Sequence, residues 1–232
     1  MENVILAISV LALPIIVAIT FHEAAHGWAA WKLGDDTALR LGRVSFNPVR
    51  HIDPFGTLLL PGLLALGQFL VGQWPPFVIG WAKPVPVDFM RLRNPRWGMV
   101  LVALAGPAIN LVLAFASALL LHLAIEAPAW LRDWSIQVLV YSITINLILM
   151  IFNMLPIPPL DGGRVAVGVL PRPLARPLAR FEQYGMLTLM AVIVLIPMIG
   201  SQLGQDWSVL PAILLPVEDW FRGVILRTTG LA

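Results

Sequence analysis

No charged residue occurs between Glu2 and Glu23, and positions 4–21 read Val-Ile-Leu-Ala-Ile-Ser-Val-Leu-Ala-Leu-Pro-Ile-Ile-Val-Ala-Ile-Thr-Phe. A helix over residues 3–33 would be roughly 45 Å long at 1.5 Å per residue. That exceeds the hydrocarbon thickness of a bilayer, so Trp28, Trp31 and Lys32 should reach an interface. Pro14 is a candidate kink. Further along, residues 34–56 are polar and irregular. Residues 57–80 are apolar but broken by Pro61-Gly62, Gly67, Gly72 and Pro75-Pro76. Residues 98–125 and 134–154 are strong spans joined by a short loop, and 183–200 is another span. Between them, 81–97 is polar and 155–180 is rich in Pro and Arg. Residues 207–226 are apolar but interrupted by Pro211, Pro216, Glu218 and Asp219. The pattern predicts an all-α polytopic membrane protein. It should have about five to six transmembrane helices and a re-entrant or hairpin segment near residues 44–87.

Basic residues constrain the topology, because cytosolic loops carry the excess of Lys and Arg. The loops at 32–56, 81–97 and 155–180 each carry four, whereas 126–133 carries one. All three basic loops fall on one side if 57–80 dips into the membrane and returns. An irregular backbone at that depth must then be buried against protein. A final crossing at 207–226 would add Arg222 and Arg227, making 14 of the 15 basic residues cytosolic. An ordinary sixth span at 57–80 is the alternative.

Composition narrows the class further. Of 232 residues, 59% are hydrophobic and 12% charged, about half the charge of a soluble domain. The net charge of +2 comes from loop arginines, and the absence of a basic run gives no reason to expect a nucleic-acid partner. With no cysteine, disulfides and thiolate metal sites are excluded. The first span has no Lys or Arg before it, so it reads as a retained helix rather than a secretory signal. Residues 1–232 read as a single membrane-embedded domain.

The candidate chemistry lies in His22-Glu23-Ala24-Ala25-His26. Residues four apart share a helix face, so His22 and His26 can hold one metal ion. Glu23 then lies where it can take a proton from a metal-bound water. Ionisable groups inside a membrane helix cost about 2.5–3.5 kcal/mol each when unpaired, a cost that a metal ion offsets. Zinc, the preference of two His and a carboxylate, needs a third protein ligand. No Glu occurs between Glu23 and Glu126, and the position six after His26 is Lys32. Asp161 is the best remaining candidate, because a span breaks just before it at three prolines; its alternative role is a helix N-cap. His51 and Asp53 are second candidates. The segment holding them could bring His51 to the metal at rest as a gate. The plainer alternative is a His51–Asp53 hydrogen bond that pins the turn.

These stretches resemble the site-2 protease family of intramembrane zinc metalloproteases. The resemblance rests on His22-Glu23-Ala-Ala-His26, on Asn153…Pro156…Asp161-Gly162, and on Ala105-Gly106-Pro107-Ala108-Ile109-Asn110. Two more stretches, Asn47-Pro48…His51-Ile-Asp53-Pro54 and Gly80-Trp81-Ala82-Lys83-Pro84-Val85-Pro86-Val87, resemble a compact branch without a PDZ or CBS domain. Asp88 stands where that branch leads one to expect Asn. The resemblance implies one Zn2+ per chain held by His22, His26 and Asp161, with Glu23 as general base. It implies a catalytic core over about 3–170, with extra C-terminal helices at 181–228. The implied substrates are membrane-spanning proteins, cut in or near the bilayer during regulated intramembrane proteolysis.

Further expectations follow. Asn153 is a neutral donor for the substrate backbone or oxyanion, or else an interhelical hydrogen bond. Segment 57–87 offers an edge for strand-like pairing with an unwound substrate. Asn110 reads as glue between helices, and the small residues around Gly106 read as close helix packing. The expected location is a prokaryotic plasma membrane, multi-pass, with the active site toward the cytosol, and homo-oligomers remain open. The rival function is a non-catalytic metal-binding regulator, a pseudoprotease. Such a protein should lose Glu23 before its histidines, and Glu23 is present.

Overall fold

A computed structural model describes residues 2–60, 62–63, 66–67, 80–205 and 207–232. Its first helix, α1, covers Glu2–Leu33 and includes Pro14. It stops at Gly34, whose φ of 117° few side chains tolerate. The Gly34 N–H donates to Trp31 O and the Asp35 N–H to Ala30 O, a Schellman ending. Lys32 Nζ sits 4.3 Å from the centre of the Trp31 ring, a cation–π contact in the last turn.

The bundle continues with α2 (Pro95–Ile125), capped by the Asn94 side chain, and α3 (Ala129–Asn153). After the broken stretch 154–160 come α4 (Asp161–Val169), α5 (Arg172–Gln202, with one wide turn at Ala191–Leu195) and α6 (Val209–Thr228). The principal packing is among α1, α2 and α3, with α4 against α2 and α6 against α3. Ala114, Ala118 and Leu121 of α2, Ile143 and Leu147 of α3, and Leu214 and Ile225 of α6 form one apolar core. The described residues contain helices and no strand. Among the described residues, four helices are long and apolar enough to cross a bilayer: Ser9–Leu33, α2, α3 and α5. The sequence reading allowed five to six. Charges at Glu218, Asp219, Arg222 and Arg227 keep α6 out of that set. The expected re-entrant path over 61–79 lies largely outside the described residues.

Helix ends carrying the three basic loops meet at one end of the bundle. The Arg93 N–H donates to Leu33 O, at the end of α1. Arg96 donates to Gly168 O at 2.6 Å and Leu170 O at 2.8 Å, placing its charge on the C-terminal carbonyls of α4. The last helix departs from expectation. His122, in the last turn of α2, pairs with Thr229 O at 2.8 Å. Arg227 therefore sits near the end of α2 remote from Arg96, and it does not join the three basic loops. Arg222 has a local partner that removes the need for an interface. It contacts Glu218 Oε1 at 2.5 Å and Thr144 Oγ1 of α3 at 3.1 Å. Glu218 is only 2% exposed.

Beyond α1, Asp35 ties the end of the helix to the segment before α2. Its Oδ1 accepts from the Thr37 N–H and hydroxyl, and its Oδ2 accepts the Asp88 N–H at 2.7 Å. Burial raises the carboxyl's pKa, but bonds from Thr37 and Asp88, with Arg91 nearby, outweigh that and hold it below the usual 3.8. A folded-state pKa below the unfolded one gives stability that is complete above the ordinary value. It is lost as pH falls through the lower folded value. Asp35→Ala should cost about 1.5–3 kcal/mol at neutral pH, the range for hydrogen bonds to a buried charge. Thermal unfolding in detergent should show the gap from wild type shrinking as the solution is acidified below about pH 4; a pH-independent gap would count against this account.

Candidate metal centre

His22 and His26 project from one face of α1 toward α2 and are buried. Their Nε2 atoms lie 3.0 Å apart. Asp161 Oδ2, from the first residue of α4, lies 3.2 Å from each. Leu160 holds the N-cap position, so Asp161 is not the cap considered as its alternative. At the helix N-terminus the backbone dipole favours a carboxylate. Glycines make the approach possible. A Cβ on Gly162 would strike the Met154 and Leu155 carbonyls, and one on Gly163 the Ile157–Pro158 backbone.

The imidazole protons can be assigned from their partners. His22 Nδ1 is 2.6 Å from Asn110 Oδ1, and the Asn110 amide nitrogen is committed as donor to Asn146 Oδ1 (2.8 Å) and Ala18 O (3.3 Å). His26 Nδ1 donates to Val102 O at 2.7 Å. As neutral imidazoles, both rings therefore carry their proton on Nδ1 and present the Nε2 lone pair. Asp161 Oδ2 is buried and has no assigned hydrogen-bond partner among the described residues. Three acceptors converge with no proton to share, an arrangement that a cation relieves. Ligands about 2.0–2.1 Å from a tetrahedral zinc lie roughly 3.3 Å from one another, close to the observed triangle. The residues present fit such an ion.

Asn110 is the site residue whose role the sequence reading missed. Completely buried, it orients the His22 imidazole while Asn146, itself bonded to Ser142 O, holds it from α3. Outer partners of this kind fix ring orientation and raise ligand basicity. In the sequence Asn110 stands out as a polar position in an apolar run and as the end of the Ala105–Asn110 stretch. Gly106 also has a role beyond helix packing, because a Cβ there would collide with both imidazoles.

Other expected site residues lie in different surroundings. Glu23 Oε2 accepts the Val85 N–H at 2.9 Å. Asn153 Nδ2 donates to Leu149 O within its own helix. His51 is buried, with Nε2 2.8 Å from Ser45 O rather than against Asp53. Asp53 Oδ1 accepts the Phe55 and Gly56 N–H groups and caps a helical turn. The cluster of ligand atoms consists of His22, His26 and Asp161; it includes neither His51 nor Asp53. An apolar groove of about 310 Å³, lined by Phe21, Ala24, Ala25, Trp28, Phe46 and Ile109 among others, runs beside the motif helix.

Comparisons with known proteins agree with this chemistry. The profile of peptidase family M50 matches residues 124–197. The chain is 38% identical over 188 residues to "Putative zinc metalloprotease YwhC" of Bacillus subtilis (strain 168), covering 79% of this chain and 80% of that protein. It is 32% identical over 182 residues to "Putative zinc metalloprotease Rip2" of Mycolicibacterium smegmatis, covering 77% of this chain and 64% of that protein. A stretch of 64 residues is 45% identical to "Putative zinc metalloprotease MJ0611" of Methanocaldococcus jannaschii, 28% of this chain and 31% of that protein. No solved structure matches the chain at a significant level.

Two substitutions probe the support of the ligand set. Gly106→Ala should weaken metal binding by driving a Cβ into both imidazoles, and Asn110→Leu should weaken it by about 10–100-fold, as loss of an outer partner does. Metal per chain, measured by elemental analysis on purified folded protein against a competing chelator, checks both. Wild-type affinity in either variant would remove that residue from the centre.

Proposed function

This chain belongs to peptidase family M50, the site-2 proteases, and on that premise we propose that it is an intramembrane zinc endopeptidase. Its substrates are membrane-spanning proteins, cut in or near their transmembrane segments during regulated intramembrane proteolysis. One observation carries the reading: His22 Nε2 and His26 Nε2, which flank Glu23 on a helix apolar enough to cross a bilayer, converge within 3.2 Å with Asp161 Oδ2 of α4. Residues 1–232 act as one membrane-embedded domain, with a catalytic core over about 3–170. The bacterial and archaeal relatives favour a prokaryotic plasma membrane, and the three basic loops at the metal end of the bundle favour an active site toward the cytosol.

Zinc held by the three ligands supplies Lewis acidity, polarising a carbonyl and making water more acidic. The remaining work falls to the chain. Asn110 and the Val102 carbonyl keep both Nδ1 atoms protonated, so both Nε2 atoms stay free to ligate. Glu23 takes a proton from the attacking water and returns it to the leaving nitrogen as the C–N bond breaks. A helical substrate has its carbonyls occupied, so it must unwind first. Residues 81–83 already run beside 51–56, with Trp81 N–H on Gly56 O and Lys83 N–H on His51 O, which supports an extended segment as the surface where an unwound chain is received. Asn153 is kept as a candidate substrate donor, although it bonds its own helix at rest.

Glu23→Gln should retain zinc and lose about 10²–10⁴-fold in turnover, the usual contribution of a positioned proton-transfer group. In the native membrane at equal expression, trimmed single-span proteins should accumulate in that variant. Wild-type cleavage by Glu23→Gln would reject catalysis in favour of a pseudoprotease. Asp161→Ala should lose zinc, and full occupancy would remove Asp161 from the ligand set.

A further inference from the structure

The tripeptide Pro84-Val85-Pro86 has one backbone N–H, because proline has none. That single N–H, on Val85, donates to Glu23 Oε2 at 2.9 Å. We infer that the Val85 peptide N–H is a positioning group for the reaction: it holds the Glu23 carboxylate in one orientation, and residues 81–87 form an extended strap that delivers it. The inference rests on the reading of Glu23 as the proton-transferring group.

The surroundings of the strap are those of a fixed support. Lys83 N–H donates to His51 O at 2.9 Å and Trp81 N–H to Gly56 O at 3.1 Å, while Thr57 Oγ1 donates to Trp81 O at 2.8 Å. Immediately before Val85, buried Arg43 donates through Nη2 to Lys83 O at 2.5 Å and Pro84 O at 3.4 Å. Arg43 itself is anchored, its N–H on Ala38 O at 2.8 Å. The flanking segment is tied down too, by His51 on Ser45 O.

Helix α1 is shaped to admit the strap. Gly27 lies one turn after Glu23, on the same face. A Cβ there would stand 3.2 Å from Val85 Cγ1 and 3.0 Å from Val44 Cγ2. A larger residue would therefore push the strap away from the carboxylate. Prolines on both sides restrict the backbone: Pro84 and Pro86 fix their own φ, and Pro86 also biases Val85 toward an extended conformation. The donor therefore loses little freedom in holding its place. Glutamate is the opposite case, with up to about 1.5–2 kcal/mol of rotamer entropy to lose. A hydrogen bond from N–H to carboxylate is short and strong enough to select one rotamer. It occupies one of the two carboxylate oxygens and leaves the other for the proton in transit.

Two measurements test the inference. Val85 is the only exchangeable backbone amide between the two prolines, so hydrogen exchange of a peptide spanning 84–86 reports on it directly. In the zinc-loaded protein, Glu23→Ala should speed that exchange about tenfold or more relative to wild type; an unchanged rate overturns the contact. The second compares Val85→Pro, which removes the donor, with Val85→Ala, which keeps it. At matched zinc content and thermal stability, kcat of the proline variant should be lower by about 100-fold, the effect of a misplacement near 1 Å. KM should be the same in both. Equal or higher kcat in Val85→Pro overturns the positioning role. Wild-type turnover in Glu23→Gln would instead overturn the proposed function and leave the exchange result standing.

Discussion

Three buried acceptors aimed at one point are the constraint on which the rest of this structure depends. His22 Nε2, His26 Nε2 and Asp161 Oδ2 stand 3.0–3.2 Å apart with no proton to share. In a soluble domain, water could relieve such a cluster. At membrane depth an unpaired ionisable group costs about 2.5–3.5 kcal/mol even on the lenient insertion scales. A divalent cation turns a mutual repulsion into three attractions. Several features of the neighbouring elements serve that geometry. Gly106 leaves room for the rings, and the glycines after Asp161 let α4 start against a broken stretch of chain.

The protons around the cluster matter as much as the ligands. Asn110 bridges two helices by accepting from His22 on α1 while donating to Asn146 on α3. Reversing its amide would leave donor facing donor at one contact and acceptor facing acceptor at the other, so the chain Ser142–Asn146–Asn110–His22 has a defined direction. Asparagines in membrane spans are commonly explained as helix glue. Here the glue and the tuning of the metal centre are the same bonds, and packing of α1 against α2 and α3 is coupled to the tautomer of a ligand.

How much of this was legible depends on whether a contact is local. The pairing of His22 and His26 follows from helix periodicity alone, because both residues sit on one helix. Asp161 was legible by a weaker argument, as a carboxylate at the point where a span breaks. Asn110 was visible as a polar residue in an apolar run, but its facing a histidine depends on how α1 and α2 are rotated, which periodicity does not specify. The same limit explains His51. Its neighbour Asp53 suggested a local bond, whereas the turn at Pro48–His51 folds the imidazole back onto Ser45 O. Charge counting placed the three basic loops together at one end of the bundle. It failed for α6, where Arg222 is paired with Glu218 and Arg227 stands at the opposite end of the bundle.

Val85 shows a further kind of information that residue types hide. Its side chain is ordinary, and a reading of the sequence by side-chain chemistry passes over it. What matters is a backbone group made singular by its neighbours, since two prolines remove every competing donor from the tripeptide. On the proposed mechanism, the general base then needs no dedicated side-chain partner, which would have to be another polar residue at membrane depth. A peptide N–H adds no charge and no extra desolvated side chain, and its place is set by a strap paired to residues 51–56. The bilayer penalises polar side chains but requires every chain to have backbone, and this site uses backbone where a soluble enzyme has freedom to use a side chain.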